Sequence, residues 1–207
     1  MNRKHQLSHH DDSPDLFRRL EECRSRLATD FVGICFRTAA YKRANQRDLI
    51  SGRGSAIHGG RWNPPGLPTV YLSADLITAT EEYLQTNRRA GLPDEAALPK
   101  VDVGVTCAMD RVLDLTRADV RRCVGISEEQ ILGVRVLEPT GVEVITQAIG
   151  RLAVEVCFQG LLVPSAARPG ARNVVVFPGK LSKRLAIVNR ERLPQRPPRL
   201  KADRKTF

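Results

Sequence analysis

The sequence predicts an α+β fold, a single domain with a small mixed β-core flanked by helices. Its 207 residues are enough for one hydrophobic core, and 42% hydrophobic against 27% charged residues is the balance of a globular chain. The stretch 101–107 alternates apolar and polar residues as a half-buried strand does, while 161–163 and 174–177 are continuously apolar, as strands buried on both faces are. Between such stretches lie segments whose apolar residues recur every three or four positions behind capping residues, the pattern of helices with one packed face.

In chain order, Ser13 is placed to cap a helix with Pro14 in its first turn, and Leu16, Leu20, Cys23 and Leu27 make its packing face. Residues 31–38 read as a strand, with Val32, Ile34 and Phe36 on the more apolar face and Arg37 on the other. An arginine beside a buried strand needs a partner, either a carboxylate at the sheet edge or an anion held where the strand ends. Residues 41–56 are polar with two glycines and read as a connecting loop or lid. Residues 69–73 resume as a strand, Val70 and Leu72 on one face and Tyr71 on the opposite one. Asp75 caps a helix running to about Arg88, with Leu76, Ala79, Thr80, Tyr83 and Leu84 as its packing stripe. Glu81 and Glu82 flank that stripe on its two sides, and helical periodicity leaves open which of them points into a cleft. Further on, 101–107 and 112–115 are two strands, and Thr116 and Ser127 start short helices, the second through a Ser-x-x-Gln capping box with Gln130. Residues 142–158 form the longest helix, stopped by Gly160, and Ser165 stands where the strand 161–163 gives way to a loop.

Residues 1–12 are polar and unlike a signal peptide, and no apolar run nears the ~20 residues that cross a bilayer, which predicts a soluble cytoplasmic protein without membrane contact. Five cysteines, scattered and without a Cys-x-x-Cys pair, read as reduced thiols and not as a disulfide framework or a zinc site. The net charge of +10 is concentrated at one end: residues 180–207 hold ten Lys or Arg against two acidic residues and so carry +8 of it. Three segments follow: 1–30, polar with one helix; 31–180, the globular domain; and 181–207, a basic, flexible tail. The tail is either a solvated end or an arm for nucleic acid or an acidic partner, and no nucleic-acid-binding motif accompanies it. No Ser-His-Asp set, P-loop, Gly-x-Ser-x-Gly or dinucleotide-fold glycine signature occurs.

One stretch stands out. Gly59-Gly60-Arg61-Trp62-Asn63-Pro64-Pro65-Gly66 holds the single Trp of the chain within a run whose prolines and glycines forbid a regular helix or central strand. It is therefore a shaped loop, presenting a forked guanidinium suited to phosphate or carboxylate, an apolar indole and a carboxamide able to bind its own backbone. On local chemistry alone, Trp62 is either a core plug beneath a surface turn or a plate for a ligand.

Taken with Phe36-Arg37, Ser51-Gly52-Arg53-Gly54-Ser55-Ala56, Val70-Tyr71-Leu72, the helix bearing Glu82, Pro164-Ser165 and Asn173-Val174-Val175, this block closely resembles the RES domain. The resemblance spans roughly residues 31 to 178. That family supplies the toxins of RES–Xre toxin–antitoxin pairs. The resemblance implies an ADP-ribosyltransferase-like fold and an enzyme that destroys NAD+ by cleaving its nicotinamide–ribose bond, with water or phosphate as acceptor. Its motif positions fall on Arg37, Arg61, Tyr71, Glu82 and Ser165, and its spacing from Tyr71 selects Glu82 over Glu81. Glu82 would hold the ribose hydroxyls and the oxocarbenium charge, Arg37 and Arg61 the pyrophosphate or an incoming phosphate, and Tyr71 the nicotinamide or ribose. Ser165 would donate a hydrogen bond at the same end, and Trp62 and Asn63 would complete the substrate site. The leaving nicotinamide is cationic while bonded and departs neutral, so no general acid is needed.

NAD+ is then substrate, not cofactor, inorganic phosphate is the co-substrate where it is the acceptor, and no metal is implied. The implied partner is a cognate Xre-like antitoxin covering the cleft; a second copy of the chain is admitted, and nucleic acid only through the antitoxin or the tail. Two alternatives stand beside this reading: mono-ADP-ribosyl transfer to a macromolecule, and a non-enzymatic nucleic-acid-binding module using the basic tail.

Overall fold

The structure is a computed structural model and describes residues 13–133 and 143–189. Strands β1 (Thr29–Ala40) and β3 (Lys100–Asp114) pair antiparallel over most of their length, from Ala40↔Lys100 to Thr29↔Val112. β2 (Val70–Ser73) pairs with β5 (Arg172–Val176) and β5 with β4 (Gly160–Pro164), both antiparallel, while β4 runs parallel to the end of β3. A single pair, Phe36↔Ser73, joins β1 to β2 and closes the pairings into a ring. A short β6 (Ala186–Ile187) adds to β3. Helices and strands are thus both present in a mixed sheet, as an α+β fold requires.

The central strands are buried on both sides because their sequences are apolar on both. Val70, Leu72, Leu162, Val174 and Val176 point inward, where they meet Cys35, Val103, Val105 and Met109. Tyr71, Leu161, Val163 and Val175 point outward onto α1 (Ser13–Leu27), α5 (Ala118–Val124), α6 (Glu128–Gly133) and α7 (Ile145–Glu155). Helix α4 (Leu76–Arg89) packs across β1 and carries the site described below. Among the described residues, no helix is long and apolar enough to cross a membrane.

Several expectations are corrected. The Val32 and Ile34 face of β1 is outside, 78% and 51% exposed, and the ring interior lies on the Cys35 side. Alternation separates two faces; which one is covered depends on the partner strand, and Cys35 opposes the fully buried Val105. The segment 41–56 is not a simple loop: it contains α2 (Gln46–Ile50), capped by Asn45, and the start of α3 (Arg53–His58). The strands expected at 101–107 and 112–115 are one continuous β3. α5 starts at Ala118 after Arg117, and the side chain of Thr116 is bonded to Asp114 instead. α7 ends at Glu155, and residue 142, expected to begin it, lies outside the described residues.

The expected domain boundaries also shift. Leu16, Leu20 and Cys23 of α1 are in the same core as α7, so that helix is part of the domain. Leu185 and Ile187 are buried against β3, so 181–189 belong to the fold and not to a tail; residues 190–207 lie outside the described residues. Cys23 and Cys123 form a disulfide between α1 and α5, contrary to the expectation of five free thiols. Helix packing brings together two residues 100 apart in sequence, a proximity no spacing motif encodes. Cys35, Cys107 and Cys157 are free.

Candidate active site

Helix α4 is anchored where the sequence places its cap. Asp75 accepts from Thr78 N at 2.8 Å and from Thr78 Oγ1 at 2.7 Å, and these bonds, with the Arg168 charge beside them, hold its carboxyl below the usual range. Two turns on, the two glutamates separate. Glu81 faces Arg88 on the outer side, at 3.9 Å, whereas Glu82 turns inward to the ends of β4 and β5.

Glu82 is held by one oxygen. Its Oε1 accepts from Ser165 Oγ and from Asn173 Nδ2, both at 2.6 Å. Ser165 Oγ itself accepts from the backbone N–H of Ala167 (3.2 Å) and Arg168 (3.1 Å), so its only proton is directed at the carboxylate. Ser165, expected to donate to the substrate, here donates to Glu82. Asn173 Oδ1 accepts from Ser73 Oγ at 2.7 Å, which fixes its amide nitrogen toward Glu82. Glu82 Oε2 has no hydrogen bond among the described residues and is the oxygen open to a ligand.

Of the glycine-rich loop, Arg61 is the residue whose charge is within reach of this carboxylate. Asn63 is fully buried: its Nδ2 donates to Ser55 O (2.9 Å), Pro64 O (3.0 Å) and Leu67 O (3.0 Å), and its Oδ1 accepts from Tyr71 Oη at 2.7 Å. Trp62 is 2% exposed and packs in the helical core. Neither can meet a substrate, which corrects the expectation for both: the indole is the core plug and the carboxamide is the pin that folds the loop. Glycine is required on both sides of this arrangement. A Cβ on Gly60 would fall 2.5 Å from Tyr71 Oη, and one on Gly150 of α7 would fall 1.8 Å from Trp62 O. Gln147 of α7 closes the seam, donating to Gly60 O at 3.0 Å.

Tyr71 Oη donates to Asn63 and accepts from Trp62 N at 2.9 Å, so its hydroxyl serves the loop. Burial pushes its phenol well above the usual range and keeps that donor protonated. The ring is half-buried and retains an open portion. Arg61 Nη1 donates to Ile131 O of α6 at 2.7 Å. Burial lowers its pKa, the Arg89 charge lowers it further, and the Glu82 carboxylate acts in the opposite sense. Arg61 therefore lies within electrostatic reach of Glu82, and the loop it belongs to is pinned by the Tyr71 hydroxyl.

Arg37 is not in that group. It opposes Val103 of β3 and so lies on the inner side of the sheet, while Phe36↔Ser73 puts Tyr71 and Asn173 on the other side. Its Nη1 donates to Leu49 O of α2 at 2.5 Å; burial lowers its pKa and the Asp48 charge opposes this. Sequence reasoning assigned no role to Asn173 or Arg89. Asn173 was legible as a polar residue opening an apolar strand, and Arg89 as the residue two turns after Glu82 on the same helix face.

The model of the RES domain matches residues 34–197. The chain belongs to the RES family. It is 33% identical over 150 residues to the protein named NAD(+) phosphorylase MbcT from Mycobacterium tuberculosis, and equally to that of Mycobacterium bovis, a match covering 68% of this chain and 76% of the relative. Among solved structures it is similar to the M. tuberculosis MbcT-MbcA toxin-antitoxin complex, with a TM-score of 0.63 and 26% identity over 86% of this chain and 93% of that one. The family match extends past residue 180, in agreement with the place of β6 in the sheet.

Proposed function

We propose that this chain is an NAD+-depleting toxin of the RES family that cleaves the nicotinamide–ribose bond and passes the ADP-ribosyl group to inorganic phosphate. The observation that carries this is a carboxylate with one oxygen locked by Ser165 and Asn173 and the other free, beside the Arg61 guanidinium, in a chain similar over most of its length to NAD(+) phosphorylase MbcT. As the C–N bond of NAD+ lengthens, positive charge builds on the ribose C1 and ring oxygen. The free oxygen of Glu82 stabilises that charge and accepts from the ribose hydroxyls. Because Oε1 already accepts two hydrogen bonds, the carboxylate needs little reorganisation as the charge appears. The electron pair of the breaking bond returns to the nicotinamide ring nitrogen, which leaves uncharged, and a phosphate oxygen bonds to C1.

Arg61, tied to Ile131 O, keeps further N–H donors for an anionic group of the substrate. The open portion of the Tyr71 ring lies against the ribose or nicotinamide while its hydroxyl keeps the loop in shape. Arg37 acts from the far side of the sheet by holding α2 through Leu49 O, and α2 and α3 lead directly into the loop. An ADP-ribosyltransferase-like architecture is part of this proposal, supported by the mixed sheet in which a single pair joins β1 to β2. So is a cytoplasmic address, where the substrate is available. The solved MbcT-MbcA complex supports an antitoxin as the partner that restrains the toxin. Chromatography of NAD+ and nicotinamide after incubation with the purified chain and phosphate tests the reading. Stoichiometric nicotinamide is expected, and unchanged NAD+ would refute it.

A further inference from the structure

The disulfide between Cys23 of α1 and Cys123 of α5 lies apart from the carboxylate site, and its two sulfurs are not alike. Cys23 is fully buried in the core that holds Leu16, Leu20 and Val120. Cys123 is half-buried and lines a surface cavity of about 510 Å³ walled by α1 and α5. A thiolate from solution therefore meets the bond at Cys123 and not at Cys23. A disulfide resists a reducing compartment only where both sulfurs are out of reach, and this one is not so protected.

The charge around that sulfur is positive. The cavity is lined by Arg18, Arg19, Arg26 and Arg122 against two carboxylates, Glu22 and Asp119. Arg18 and Arg19 share Asp15, Arg26 pairs with Glu22, and Asp119 is held by Arg117. Arg121 turns away to Glu128 at 2.9 Å, whereas Arg122 has no ion pair or hydrogen bond among the described residues. Arg19 is fixed over the end of α5: its Nη1 donates to Val124 O at 3.5 Å, and a Cβ on Gly125 would fall 2.0 Å from that nitrogen. Its carbonyl oxygen lies 3.8 Å from Cys123 Sγ, so this arginine and the reachable sulfur share one seam. An attacking thiolate is an anion, and guanidiniums around its target favour its approach. A reductant that also carries carboxylates is held by the same forks.

We propose that this cavity is a thiol–disulfide exchange site, in which a low-molecular-weight thiol bearing carboxylates attacks Cys123 and opens the link between α1 and α5. The bond from the incoming sulfur to Cys123 Sγ forms as the Cys23–Cys123 bond breaks, and Cys23 leaves as a thiolate that takes up a proton. A second molecule of the thiol then attacks the first at its sulfur, releasing Cys123 as a thiol and joining the two reductant molecules as their own disulfide. Two electrons pass from two thiols to the protein. The link spans 100 residues of sequence that include Arg61 and Glu82, so its opening frees the unfolded chain and lowers stability while leaving the carboxylate site intact.

The test compares three thiols on the full chain at equal thiolate concentration: glutathione, which carries two carboxylates, neutral mercaptoethanol and cationic cysteamine. Reduction is followed by alkylation and mass spectrometry. Glutathione is expected to open the bond about fivefold or more faster than cysteamine, and Arg122→Gln to slow glutathione about threefold without slowing cysteamine. Equal rates for the three thiols, or an Arg122→Gln protein with the wild-type preference, would overturn the site. In Cys23→Ser, oxidised glutathione should leave its adduct on Cys123, and the lack of that adduct would count equally against it. So would a wild-type protein whose Cys23 and Cys123 stay as thiols after the same oxidant. Reduction should lower the Tm by roughly 5–15 °C, and an unchanged Tm would overturn the constraint assigned to the link.

Discussion

Replacing Glu82 by Gln changes charge and little else. The substituted oxygen can still accept from Ser165 Oγ and Asn173 Nδ2, and the new amide takes the position of Oε2, which has no protein partner among the described residues. At about 4 Å and an effective dielectric constant near 20, a full unit charge on the ribose would interact with the carboxylate by about 4 kcal/mol, and a half charge by about 2 kcal/mol. The loss of that interaction lowers the rate of the chemical step by roughly 30-fold to 1000-fold. Because the ribose charge exists only as the bond breaks, that loss falls on kcat, while the lost acceptor for the ribose hydroxyls adds a smaller rise in the KM for NAD+. The assay is nicotinamide release under saturating NAD+ and phosphate, accompanied by a melting curve. A Tm within about 2 °C of wild type is expected, since no packing is removed. A variant that melts like wild type and turns over within threefold of its rate would refute the role given to this carboxylate.

Ser165→Ala removes one of the two bonds that orient Glu82 and is expected to lower kcat about tenfold with little effect on the KM for NAD+; a raised KM with unchanged kcat would place Ser165 on the substrate instead. Asn63→Ala leaves three carbonyls and the Tyr71 hydroxyl without their partner and should cost about 3 kcal/mol or more, a fall in Tm of roughly 6–12 °C. Arg37→Met keeps the stem and abandons Leu49 O, so stability should drop by about 1–3 kcal/mol; an unchanged Tm with a raised KM for NAD+ would return Arg37 to the substrate. Asp75→Ala should destabilise by about 1 kcal/mol through loss of the α4 cap. The folded carboxyl of Asp75 lies below its ordinary value of 3.8. Its contribution is therefore complete above that value and lost as the pH falls through the lower folded one, so wild type and Asp75→Ala should converge in thermal stability only in acid.

Local chemistry made much of this legible. Asp75 caps α4, Ser127 and Gln130 close a capping box with bonds of 2.8 and 3.0 Å, and α1 starts at Ser13 and ends at Leu27. The loop at Gly59 was also readable, because proline and glycine act through backbone geometry that neighbours do not override. What failed depended on residues far away in sequence. The outward face of Val32 follows from the register of β1 on β3, and the burial of Trp62 from a glycine in α7. The separation of Arg37 from Tyr71 follows from one strand pair, and the Cys23–Cys123 disulfide from the packing of α1 on α5. The candidate site divides the same way. Glu82 was selected by family spacing, whereas Asn173 as its partner exists only once helix and strand ends are brought together.

The most direct measurement is phosphorus NMR of the products formed from NAD+ by the purified chain in phosphate buffer. Two phosphorus signals of a pyrophosphate accompanied by a new sugar-phosphate resonance, growing in step with free nicotinamide, are predicted. Free ADP-ribose as the sole phosphorus-containing product, or NAD+ recovered intact, would contradict the account.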